Sequence, residues 1–199
     1  MRHFGAILLV LVLSSRAPAQ QFSGDDACVD GRCPLQAAPS APSAADLRVD
    51  ARPIARIVNQ RGAVRAAGTG TLVDVDADGG LVITCAHLFR EGTGAVSVTF
   101  PDQATLAAKV EKIDADADLA ALSIPTTTIE PVTVATTYPR RGDSLVSCGY
   151  GGDGRLWCNR GQALGYVATA NGQNLETLEL SGAARFGDSG GPVLDRDHQ

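Results

Sequence analysis

Helical periodicity is the first thing missing from these 199 residues. No stretch keeps apolar side chains at a 3.6-residue spacing long enough to build an amphipathic helix. Composition likewise excludes coiled-coil, collagen-like and fully disordered chains. Basic charge is also short. Seventeen Lys+Arg stand against 22 Asp+Glu, a net charge of −5, and binding nucleic acid needs a clustered basic face. Aromatic residues make up only 5%. Long apolar runs are missing too: Phe4–Leu13 is ten residues, about half of the roughly 20 that cross a bilayer, and no other segment is apolar enough to span. Histidine is the scarcest resource, with only His3, His87 and His198.

What is present begins with an export pattern. Arg2, the apolar run Phe4–Leu13 and the small-x-small triplet Ala17-Pro18-Ala19 make residues 1–19 a signal peptide. Its removal takes away Arg2 and Arg16 and no acid, which moves the net charge from −5 to −7. The expected protein is soluble, secreted or periplasmic, and not membrane-associated after cleavage. Residues 20–50 form a Cys-containing segment and a linker, since 34–46 are almost entirely Pro, Ala, Ser and Gln and cannot bury enough to offset ordering entropy. Residues 51–199 remain for a core, enough for a domain that buries ~70% of its unfolded surface. Five cysteines suit an oxidising compartment. Cys28 and Cys33 flank a turn-like stretch, Cys148 and Cys158 flank an apparent hairpin tip, and Cys85 is left over as a small buried thiol.

Within 51–199, short runs of Val, Ile, Leu and Thr alternate with Gly/Asp turns. They are Ile54–Val58, Gly70–Val75, Leu81–Thr84, Ala95–Phe100, Leu106–Ile113, Leu119–Ile124, Val132–Thr136, Ser144–Cys148, Gln162–Ala168, Leu175–Leu180 and Pro192–Leu194. Asp76–Gly80 carries a hairpin signal. This is the pattern of an all-β sandwich or barrel. Thr126–Thr128, between Pro125 and Pro131, reads as a connection between two β halves.

Three places carry chemistry. His198 is next to the C-terminal residue, so His87, at the end of a strand, is the candidate imidazole base nearly by elimination. Cys85 and His87 alone lack the further ligand pair a zinc site needs. In Asp114-Ala115-Asp116-Ala117-Asp118, the last acid directly precedes an apolar strand, which can carry it to an imidazole. Taken alone, such a cluster reads better as turn residues. Gly187-Asp188-Ser189-Gly190-Gly191-Pro192 is far more specific. Glycine at 187 permits unusual dihedrals, and the Gly187 and Ser189 N–H groups can then converge on one oxyanion beside an exposed serine hydroxyl.

Thr84-Cys85-Ala86-His87, Asp118-Leu119-Ala120 and Gly187–Pro192 together resemble the three signature blocks of the trypsin/chymotrypsin-like serine proteases, in the order His, Asp, Ser. Gly142–Gly151 resembles the first strand of that family's second barrel. Cys85 departs from the usual Ala. The resemblance implies two antiparallel six-stranded β-barrels, the first at about 51–130 and a second, partial one at about 131–199. Only ten residues follow Ser189, so the second barrel is expected to be incomplete at the C-terminus. The implied activity is serine endopeptidase with a polypeptide substrate, using His87, Asp118 and Ser189, the Gly187 and Ser189 N–H groups as oxyanion hole, and no metal or organic cofactor. The alternative is a catalytically impaired binding or scaffold module, or an inactive fragment. Ala183, six residues before the serine, becomes the floor of the specificity pocket, where the lack of Asp argues against cleavage after Lys or Arg. Asp188 pairs with a charged N-terminus in zymogen-activated relatives; here no Ile/Val-Gly activation site is visible, and its expected role is to stabilise the turn.

Overall fold

The computed structural model describes residues 49–101, 104–168 and 176–195. The first half of the domain contains β1 (Ile54–Arg61), β2 (Val64–Val75), β3 (Gly80–Cys85), β4 (Ala95–Thr99), β5 (Leu106–Asp114) and β6 (Leu119–Ile124). A 3-10 turn, Ala86–Phe89, follows β3 directly. These strands close into an antiparallel barrel in the order β1-β2-β3-β6-β5-β4, with β4 pairing back onto β1. Closure leaves this barrel no free edge.

Pattern explains the inside. In β6 burial alternates, with Ala120, Leu122 and Ile124 turned inward, as the two-residue pleat requires. They meet Ile57, Leu72, Val82, Val98 and Phe100 in one core. The packing leaves no slack: a Cβ at Gly70 would come within 2.9 Å of both Ile57 and Val82 side chains. Asp76 Oδ1 accepts from the N–H groups of Asp78 and Gly79 and so closes the β2–β3 hairpin expected at 76–80.

The second half holds β7 (Ser144–Tyr150), β8 (Leu156–Ala168), β9 (Glu176–Leu180) and β10 (Val193–Leu194). Among the described residues it is a four-stranded sheet, ordered β10-β7-β8-β9, beside the closed barrel. Cys148 and Cys158 face each other across β7 and β8 and form a disulfide, as the hairpin reading anticipated. The other proposed pair, Cys28 with Cys33, lies outside the described residues. Cys85 is a free buried thiol on β3.

The architecture is all-β, and one of the runs read as a strand is not one. Val132–Thr136 is not a strand. It runs between Pro131 and Pro139, neither of which can donate to a ladder, and Val134 is 39% exposed. The Val132 N–H instead donates to the Leu72 carbonyl, so the connection is tied to β2 without joining its sheet.

Candidate active site

The end of β3 builds the first part of the site. The 3-10 turn that follows lifts the His87 side chain out of the barrel wall, leaving it 30% exposed. Asp118 lies in the turn before β6 and has φ +52°, a left-handed conformation that Asp tolerates better than most side chains. There it grips His87 twice. Oδ1 accepts the His87 backbone N–H at 2.8 Å, and Oδ2 lies 2.8 Å from Nδ1. A carboxylate accepts only, so Nδ1 carries a proton, and in the neutral ring the lone pair lies on Nε2. The Asp118 carbonyl also accepts from the Ala86 N–H. Asp114 serves the turn itself, accepting from the Ala117 N–H.

Ser189 comes from the other half of the domain and is fastened to the barrel through β2. Its carbonyl accepts the Thr69 N–H at 2.9 Å. The Thr69 hydroxyl donates to the Gly187 carbonyl at 2.7 Å and accepts from the Tyr150 N–H at 2.8 Å. The Thr84 hydroxyl donates to the Thr69 carbonyl at 2.6 Å. Gly190, at φ +84°, packs so closely that a Cβ would run into the Thr69 carbonyl, the Thr84 hydroxyl and the Cys85 amide. The serine loop therefore rests directly on the strand that ends at the histidine. Gly187, at φ +94°, has a carbonyl of Tyr150 where a Cβ would be. Among the described residues neither the Gly187 nor the Ser189 N–H has a protein acceptor.

The sequence reading missed Thr69, whose contacts join positions 118 and 81 residues apart. It also missed what Cys85 touches. Sγ lies 3.4 Å from His87 Nε2, and no hydrogen bond joins that ring to Ser189 Oγ in this structure. Burial pushes the Cys85 thiol up to about 12, with the Asp118 charge adding to it. The thiol is thus protonated at neutral pH and can donate weakly to Nε2. Ala183 is exposed, and its carbonyl accepts from Asn159. A cleft of about 580 Å³ lined by Asp74, Asp76, Asp78, Leu81, Lys109 and Ser123 opens at the opposite end of β3 and shares no residue with this site.

Residues 68–199 match the family described as trypsin-like peptidase domain. The chain belongs to that family. It is a trypsin-like serine protease domain, and its substrate class is polypeptide. Its fold is similar to that of the Rv3671c protease of M. tuberculosis, with a TM-score of 0.64, 23% identity and 75% of each chain covered in the inactive form. The serine endoprotease from Yersinia pestis is similar at TM-score 0.63 and 21% identity, over 73% of this chain and 50% of that one. The HtrA-type protease AlgW with tripeptide is similar at TM-score 0.65 and 21% identity, over 73% of this chain and 48% of that one. No curated protein sequence matches the chain.

Proposed function

We propose that the protein is an exported serine endopeptidase that cleaves peptide bonds through Ser189, His87 and Asp118 and an acyl-enzyme. The supporting observation is the double grip of Asp118 on His87, at 2.8 Å to both Nδ1 and the backbone N–H. With Nδ1 donating to Asp118, the neutral ring is left with Nε2 as its free base. Nε2 takes the proton of Ser189 Oγ as that oxygen attacks the peptide carbonyl, and Asp118 stabilises the resulting imidazolium. The Gly187 and Ser189 N–H groups receive the oxyanion, each worth about 3 kcal/mol of barrier. His87 returns the proton to the leaving amine, and water then hydrolyses the ester with His87 again as base. Ala183, at the pocket-floor position that the family resemblance implies, carries no charge to receive a Lys or Arg side chain. Export rests on the signal pattern of residues 1–19; retention of the chain in the cytoplasm, still beginning at Met1 by mass spectrometry, would count against it.

A second reading, an impaired protease-like binding module, is favoured by one observation. The lone pair of Nε2 faces Cys85 Sγ at 3.4 Å. A fluorophosphonate probe separates the two readings. Labelling of the folded protein that disappears in Ser189→Ala establishes the nucleophile, and absence of labelling in both favours the module.

A further inference from the structure

Asp188 stands between the two residues whose N–H groups form the proposed oxyanion hole, and only 7% of it is exposed. A carboxylate that far from water needs a counter-charge and filled lone pairs. Both come from three residues upstream. Arg185 Nη2 donates to Asp188 Oδ1 at 3.0 Å, Nε to Oδ2 at 3.4 Å, and the Arg185 backbone N–H to Oδ2 at 2.9 Å. The Asp188 N–H returns a bond to the Arg185 carbonyl at 3.1 Å. This closes a ring around Phe186 and Gly187, and Phe186 is left 96% exposed at its tip.

The ring is also fastened to the sheet beneath. Arg185 Nη2 donates to the Gly149 carbonyl at 3.2 Å, and its guanidinium lies 5.5 Å from the centre of the Trp157 ring. Gly149 and Trp157 are opposite one another on β7 and β8. The loop sits so low on β7 that a Cβ at Gly149 would come within 2.6 Å of the Asp188 backbone. A planar, forked cation that stacks on indole while gripping a carboxylate is a task for Arg and not Lys.

We propose that Arg185 is the positioning residue of the oxyanion hole. It neutralises and orients Asp188 from within the same loop and thereby holds the flanking Gly187 and Ser189 N–H groups convergent. The counter-charge is built in, so the loop does not depend on a charged group delivered from elsewhere in the chain. The inference rests on the serine-peptidase reading above and adds to it the device that orders its catalytic loop.

The test compares wild type, Arg185→Gln and Arg185→Lys by rate of fluorophosphonate labelling, thermal midpoint and tryptophan emission. Trp157 is the single tryptophan of the chain, so its emission reports on the clasp directly. Arg185→Gln is expected to label about 100-fold more slowly, the loss typical of one oxyanion donor, and to shift emission to longer wavelength. Arg185→Lys is expected to recover about a tenth of the wild-type rate, since it restores charge without the fork. Wild-type labelling together with an unaffected Arg185→Gln rate overturns the clasp alone. So does a loss that tracks only the unfolded fraction and that Lys does not relieve. A wild type that takes no label sinks both the clasp and the serine-peptidase reading.

Discussion

Cys85→Ala should change how stability depends on alkaline pH, and the size of the effect follows from burial. The thiol is 5% exposed and its pKa is raised from an ordinary 9.0 to about 12, first by loss of water and then by the Asp118 charge. The folded state therefore holds a proton that the unfolded chain has lost. A raised folded pKa gives stability that is intact below about pH 9 and declines as pH climbs toward 12. The three-unit window corresponds to about 4 kcal/mol in all, and to about 3 kcal/mol by pH 11. Removing the buried sulfur costs roughly 1–2 kcal/mol at neutral pH through lost packing. Urea midpoints of wild type and Cys85→Ala between pH 7 and 11 should converge above pH 9 and cross before pH 11. Other titrations are common to both proteins and cancel in the difference. Parallel curves across that range would refute the claim that the thiol is buried and protonated beside His87.

Two other predictions concern the grip on the base and on the loop. Asp118→Asn keeps an oxygen for the His87 N–H but presents an amide to Nδ1, which forces the other tautomer and protonates Nε2. The expected loss is about 10⁴-fold in kcat, read by casein hydrolysis, with the circular-dichroism spectrum preserved; a loss under tenfold would mean the tautomer is set by something else. Thr69→Val deletes the hydroxyl that serves Gly187 and Tyr150. It should lower stability by about 1–3 kcal/mol and slow labelling of Ser189, with Thr69→Ser restoring both. Equal behaviour of the Val and Ser variants would remove Thr69 from the positioning scheme.

The sequence showed the parts whose signal is local. An apolar run bounded by turn residues marked β6 at its observed limits, Leu119–Ile124, and the Asp76–Gly80 hairpin declared itself through its turn chemistry. The six residues Gly187–Pro192 were legible because steric demands fall close together in the chain: a Cβ at Gly187, Gly190 or Gly191 would run into backbone carbonyls. Legibility failed where pairing is long-range. Val64–Thr69 shows no apolar alternation yet belongs to β2, because each residue pairs across to β1, from Arg61↔Val64 to Arg56↔Thr69. Val132–Thr136 has strand composition but no neighbouring strand to pair with. Thr69 and Arg185 look like ordinary polar residues in sequence, and their roles exist only once two distant segments meet.

That meeting determines which part of the site is most vulnerable. His87 and Asp118 are both anchored on the closed barrel, at the adjoining ends of β3 and β6, where opening them means breaking a sheet with no edge. Ser189 belongs to a loop between β9 and β10, on a sheet that among the described residues has four strands, and β10 is only two residues long. Its position relative to the base depends on the bonds from Thr69 to Gly187 and Ser189 and on the ring formed by Arg185 and Asp188. Local openings cost least where few buried contacts must break. The serine loop should therefore loosen before the barrel does, so activity should be lost at lower denaturant than the barrel's cooperative unfolding. The His87–Asp118 pair stays formed in that intermediate range, and what departs is its alignment with Ser189 and the Gly187 and Ser189 N–H groups, the proposed nucleophile and oxyanion donors.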